Sequence, residues 1–201
     1  NADWGVVVIS DVSTGRILVL ADSGSTTPNP SKPQSVMGVQ APYEPGSVGK
    51  LLTMASALEK GTTTPTSAYS VPYSISPADA GGPISDYHEH GTEMMTTTGI
   101  LTQSSNVGTI EVGEQVGDRD RYDFMTKMGL NQVTGIELAG ESQGIMRDFD
   151  AIHGRDRYTM MFGQSYAITA IQQNQFIQAI GNRGVMIAPR IIDSTTDSKG
   201  R

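Results

Sequence analysis

Residues 43–50 read Tyr-Glu-Pro-Gly-Ser-Val-Gly-Lys and run straight into the apolar stretch Leu-Leu-Thr-Met-Ala-Ser-Ala-Leu at 51–58. Pro45 and Gly46 suit a tight entry. The recurrence of Leu51, Met54, Ala55 and Leu58 predicts a helix from about Ser47 to Lys60, stopped by Gly61. Residues three apart on a helix share a face, with Cβ atoms about 5–6 Å apart, so Lys50 can fold back toward Ser47. A serine hydroxyl is a weak nucleophile until a base takes its proton. A lysine serves as that base only when neutral, and moving its pKa from about 10.4 to near 7 takes roughly 4–5 kcal/mol from burial or neighbouring cations. Ser47 at a helix start also lies beside backbone N–H groups that favour developing negative charge. Taken alone, Ser-x-x-Lys reads more simply as a capping serine and a solvated lysine.

Bulk properties narrow the field. The chain has 201 residues, 37% hydrophobic and 17% charged, with 23 Gly and 10 Pro spread along it, which describes a loop-rich globular protein. The net charge of -7, with no run of three Lys or Arg, argues against nucleic acid as a partner. There are no cysteines, so disulfides and thiolate-held zinc are excluded. No apolar stretch approaches the length of a membrane span. The start, Asn-Ala-Asp-Trp-Gly-Val-Val-Val-Ile-Ser, carries neither an initiator Met nor a signal sequence and reads as internal to a longer protein.

Residues 4–9 and 16–20 are β-branched runs joined by Asp11-Val-Ser-Thr-Gly15, a hairpin signal. Residues 22–42 read as loop, and 69–75 as short extended pieces broken by proline. Helices are expected over 97–103, over 106–116, and over 119–128 with Asp118 as cap and Gly129 as stop. Residues 135–144 read as loop. Thr169-Ala-Ile-Gln172 has capping-box form before a helix to about Asn182, and Val185–Ile192 opens a strand. Strands, then helices, then a strand indicate an α/β (α+β) fold whose sheet is assembled from both ends of the chain.

Ser104-Ser105-Asn106 stands at a helix boundary. A second hydroxyl there can relay a proton, and an amide can orient a carbonyl. With this element the pattern becomes specific. Tyr43–Lys50, the hairpin Ile9–Ala21, the segment His90–Ile110 and the stretches Met128–Met146 and Phe162–Ile192 together resemble, in order, the class B penicillin-binding proteins, peptidoglycan D,D-transpeptidases that also bind β-lactams. The resemblance covers nearly the whole chain. It implies a transpeptidase fold of the serine β-lactamase type, with a central antiparallel sheet flanked by helices, in one domain over 1–201. It implies Ser47 as acylated nucleophile, Lys50 as its base, Ser104 and Asn106 as the second motif, and the Ser47 N–H as half of an oxyanion hole. Ser105 is expected to point elsewhere. The implied reaction is acyl transfer from D-Ala-D-Ala of peptidoglycan stem peptides, without metal or organic cofactor. It would take place on the extracytoplasmic face of a bacterial membrane, behind an N-terminal anchor absent here. Implied partners are stem peptides, β-lactam antibiotics and other cell-wall synthesis or division proteins.

One part of the pattern is missing. The family's third motif, Lys-Thr/Ser-Gly, has no counterpart; Ser198-Lys199-Gly200-Arg201 lacks the middle hydroxyl. The reading is that the chain stops before the C-terminal strands and is an incomplete, impaired domain. Rival readings are a D,D-carboxypeptidase or a β-lactam sensor of the same fold, or a catalytically silent cell-wall scaffold. Four other features take ordinary explanations. Asp86, His88 and His90 alternate, but a loop near the cleft explains them better than a metal site. Gly49-Lys50 is no phosphate loop, since Glu44 and Leu51 stand where Gly and Ser/Thr would be needed. Glu137 and Glu141 lack the context of a deacylating glutamate, which favours slow deacylation, and the ten methionines read as core filling.

Overall fold

The protein is described by a computed structural model in residues 4–23 and 35–195. Two compact units are formed by the described residues: one from within Asn1–Tyr43, Met128–Ile145 and Ile168–Arg201, the other from Glu44–Lys127 and Met146–Ala167. Among the described residues no helix is long and apolar enough to cross a membrane.

The first unit begins with the expected hairpin. Strands β1 (Val6–Ser10) and β2 (Ile17–Asp22) pair antiparallel from Val6 opposite Asp22 to Ser10 opposite Ile17, with an irregularity after Ile9. The turn is held by one carboxylate: Asp11 Oδ1 accepts from the N–H groups of Ser13 (3.0 Å) and Thr14 (2.8 Å) and from both their hydroxyls. One turn of helix, α1 (Met37–Gln40), stands where loop was expected, and it buries Val39; residues 24–34 of that loop lie outside the described residues. Helix α6 (Ala170–Gly181) packs on β1, and its capping box is formed as predicted, with Thr169 and Gln172 bonding each other's backbone. Val39, Ile136 and Ile171 centre this unit's core, with Val8, Ile17 and Leu20 against them.

The segment Val185–Ile192 is not a strand. It makes a single bridge, Arg16 to Arg190, with Ile17 N–H donating to Arg190 O (2.8 Å) and Arg190 N–H to Gly15 O (3.0 Å). Pro189 has no N–H for a ladder, and the Gln178 side chain takes the N–H of Ile187 (3.1 Å). Every sheet among the described residues is therefore two-stranded.

In the second unit a 3₁₀ turn (Gly46–Gly49) leads into α2 (Lys50–Lys60), closed by Gly61 in the left-handed region. The apolar face inferred from spacing is displaced: Leu58 is exposed, while Lys50, Leu52, Thr53, Met54, Ser56 and Ala57 are buried. The helix is enclosed on several sides, so a single amphipathic stripe does not describe it. It packs against α3 (Thr97–Gln103), α4 (Asn106–Glu114) and α5 (Asp118–Lys127). Asp118 opens α5, and its carboxylate is bonded by the guanidinium groups of Arg121 (2.7 Å) and Arg157 (2.6 Å). Strands β3 (Ala68–Val71) and β6 (Glu93–Thr96) pair antiparallel, as do β4 (Ser74–Ile75) and β5 (Ile84–Ser85). Helix α4 has a core on each side: Val107 and Val112 join Met54, Val71 and Ile100, while Ile110 joins Ala80, Met161 and Phe162.

The turn that carries Ser47 is clasped by the segment 162–166. Gly46 N–H donates to Gly163 O (2.9 Å), and the Ser165 N–H donates to Glu44 (2.8 Å). A Cβ on Gly163 (φ +86°) would lie 1.8 Å from Gly46 O, so only glycine fits there. Gly61 has a similar φ of +73° with open space around it. Gly163→Ala should therefore lower unfolding stability by about 2 kcal/mol or more, and Gly61→Ala by about 1 kcal/mol. Denaturant midpoints of the two variants check this; equal losses would mean that the approach to Gly46 carries no weight.

Candidate active site

Lys50 is 1% exposed at the head of α2. Its Nζ donates to Ser104 Oγ (3.0 Å) and to the carbonyl oxygen of the same residue. Ser104 ends α3 in the left-handed region (φ 56°, ψ 36°), a conformation a side chain adopts at a cost of about 1–2 kcal/mol. That kink aims its carbonyl and its hydroxyl at one ammonium group. Burial pushes Lys50 down from the ordinary 10.5 to about 8, against the opposing pull of the Asp86 carboxylate. The drop corresponds to about 3 kcal/mol of differential interaction.

Ser47 is exposed on the 3₁₀ turn, one helical turn before Lys50. Ser47, Ser104 and Asn106 line one cavity of about 440 Å³, with Gly46, Tyr87, His88, Gln103, Phe162 and Gln164 around them. The four residues singled out in the sequence are thus brought together, Lys50 from beneath through Ser104 and the other three from the wall. Asn106 starts α4, and its Nδ2 donates to Ser85 O (3.0 Å). Ser105 points away from the cavity, as expected: it is 2% exposed, caps α4 at Gly108 N–H (2.8 Å) and donates to Asp86 Oδ2 (2.7 Å).

Sequence reasoning treated the run Asp86–His90 as loop and missed the part Asp86 plays. Its carboxylate accepts from the N–H groups of Asn106 and Val107, from Ser105 Oγ and from His90 Nε2 (3.1 Å). The only sequence signal was the alternation of Asp86, His88 and His90. Among the described residues no group of three or more side chains could hold a metal ion. Two further contributions had no sequence signal: the glycine clasp and the Tyr166 hydroxyl, which is buried without a hydrogen-bond partner beside Gly49. Glu137 and Glu141 have structural partners in the first unit, at Ile191 N–H (2.9 Å) and at the backbone of Thr134 and Gly135. The nearest counterpart of the third motif, 198–201, lies outside the described residues.

The family model described as the penicillin binding protein transpeptidase domain matches residues 5–201. The chain is 36% identical over 199 residues to penicillin-binding protein PbpB of Mycobacterium tuberculosis, which aligns 96% of this chain with 29% of that protein. It is 29% identical over 191 residues to peptidoglycan D,D-transpeptidase FtsI of Escherichia coli, 92% of this chain and 32% of that one. A peptidoglycan synthetase from Bifidobacterium adolescentis superposes with a TM-score of 0.92 at 38% identity, over 99% of this chain and 36% of that one. Penicillin-binding protein 3 of Mycobacterium tuberculosis, complexed with ampicillin, does so with a TM-score of 0.92 at 35% identity, over 100% of this chain and 45% of that one. The chain spans about a third of the length of these two curated relatives. The expected α+β transpeptidase fold is borne out by these structures.

The depressed Lys50 pKa links folding to pH. Below about 8 both folded and unfolded chains hold the proton, and the folded state bears the cost of a buried ammonium. Between about 8 and 10.5 the folded chain releases the proton and the unfolded chain keeps it, so this residue makes stability rise with pH. The rise should total up to about 3 kcal/mol and should vanish in Lys50→Met. Denaturant unfolding across this range in both proteins measures it.

Proposed function

Since the chain belongs to the penicillin-binding protein transpeptidase domain family, we propose that it carries the acyl-transfer centre of a D,D-transpeptidase that cross-links peptidoglycan stem peptides. The observation that supports this best is a buried Lys50 hydrogen-bonded to Ser104, one helical turn from an exposed Ser47 on the same cavity. Ser47 Oγ attacks the carbonyl carbon of the penultimate D-Ala. Neutral Lys50 takes the hydroxyl proton, directly or through Ser104. Negative charge moves to the carbonyl oxygen, beside the first-turn N–H of Ser47; one such donor is worth about 2.7–4 kcal/mol. Collapse of the tetrahedral adduct breaks the peptide C–N bond, and the D-Ala amine leaves with a proton from the lysine side. An amine of a second stem peptide then attacks the acyl ester and releases Ser47. Asn106 faces the substrate from the cavity wall.

The same first step accounts for β-lactams: the strained amide is opened by Ser47, and the acyl-enzyme persists. A relative has been solved in complex with ampicillin and with aztreonam. The substrate is a cell-wall polymer, so the site works outside the cytoplasm, on the outer face of the membrane, among other proteins of cell-wall synthesis or division. Residues 1–201 act as one transpeptidase domain in this reading.

Intact-protein mass after incubation with benzylpenicillin tests the assignment. A penicilloyl adduct is expected, absent in Ser47→Ala and slowed by about 10²-fold or more in Lys50→Met. An adduct that survives Ser47→Ala would remove Ser47 from the role of nucleophile.

A further inference from the structure

Resting on the reading of Ser47 and Lys50 as nucleophile and base, we propose that Asp86 is a positioning residue for acyl transfer: one buried carboxylate that holds the Ser104–Asn106 corner in place and supplies the charge that balances Lys50. Asp86 follows β5 directly, and its own N–H is fixed to Tyr73 O (3.0 Å). The residue is 8% exposed. Oδ1 takes the first two N–H groups of α4, those of Asn106 and Val107, and Oδ2 takes Ser105 Oγ and His90 Nε2. Four donors fill the acceptor capacity of a carboxylate. Ser105 alone already caps α4 at Gly108. The carboxylate therefore adds something beyond an ordinary cap. It ties the backbone on both sides of Asn106 to a loop about twenty residues earlier.

The second function is electrostatic. Desolvation depresses Lys50, and Asp86 is the charged group that opposes it. Without that charge the lysine would release its proton more readily but would be a weaker acceptor for the serine proton. A base whose pKa lies near the working pH balances the two. The groups that face Asp86 are Lys50 of α2, His90 on its own loop and Glu111 of α4, with Glu93 of β6 acting on His90. His90 is held above its ordinary value chiefly by its bond to Asp86. It and Lys50 are the two basic groups among them.

The test is the pH profile of acylation by a fluorescent penicillin, measured on the protein and on Asp86→Asn and Asp86→Glu. The unsubstituted protein should show a rate that rises through about pH 8. In Asp86→Asn the rising limb should move to lower pH by roughly half a unit or more, since the charge that favours the ammonium is gone. Its plateau should fall by about ten-fold or more, since Asn106 loses its anchor. Asp86→Glu keeps the charge and misplaces the oxygens, so its limb should stay while its plateau falls. A lowered plateau with an unmoved limb in Asp86→Asn would reduce Asp86 to a structural cap and overturn the proposal; an unchanged profile would overturn it outright. If Asp86→Asn does not fold, the glutamate variant decides: a full plateau refutes the positioning role, and a fallen plateau at the original limb supports it. Failure to acylate at Ser47 even in a longer chain that carries the third motif would instead refute the site assignment, a result separate from any effect of Asp86.

Discussion

The structure of the site depends on one contact, the ammonium of Lys50 laid against the carbonyl and hydroxyl of Ser104 in a place closed to water. A buried ammonium is tolerated only if its donors are met, and even then burial works against its charge. This conflict is what the site needs. A lysine well solvated on the surface would hold its proton near 10.4 and could not take one from a serine. The contact also explains the unusual backbone of Ser104. Its left-handed conformation ends α3 and lets α4 begin two residues later, so that carbonyl, hydroxyl and the amide of Asn106 gather on one corner.

That corner stays in place because α4 cannot shift. Val107 and Val112 are locked into one apolar cluster and Ile110 into another, and each of the three is fully buried. Gly108 lets the backbone close on Ile100, where a Cβ would come within 2.7 Å. Ser47, the proposed nucleophile, is held differently. Ser47 is exposed on a 3₁₀ turn whose position is set by the close approach of Gly163 to Gly46, by Gly49 against Gly163 and Tyr166, and by the Ser165 N–H on the Glu44 carboxylate. The proposed base and the proposed nucleophile thus belong to parts of the fold with different exposure: Lys50 is buried in a packed interior, and Ser47 stands exposed on a turn.

Much of this was legible in the sequence, and the limits follow from what sequence patterns encode. Local chemistry transferred well. The hairpin, the capping box at Thr169, the helix stop at Gly61 and the helices around the second motif formed where expected, because each is decided by neighbours a few residues apart. The buried face of α2 did not transfer, because a helix enclosed on several sides buries Thr53 and Ser56 as readily as Leu52. The strand expected at Val185–Ile192 failed on Pro189 and on the Gln178 side chain, a competitor seven or more residues away in the chain. Ser47, Lys50, Ser104 and Asn106 were visible as motifs. Asp86 was not, since the distance from Asp86 to Ser105 is set by the path of the chain through β6 and α3, which no spacing rule reads.

Asp86 also shows why a motif list understates a site of this kind. Residues that touch substrate are constrained by chemistry, and short spacings on helices and turns preserve them. Residues that set the charge and position of those groups need only arrive at the right point in space. In this chain one carboxylate from a loop reaches the backbone on both sides of the corner amide, the cap of its helix and a histidine, while its charge acts on the buried lysine. Desolvation alone drives a lysine further toward neutrality as burial increases. An opposing carboxylate sets where that drive stops, so the protonation state at working pH is a property of the pair and not of the lysine.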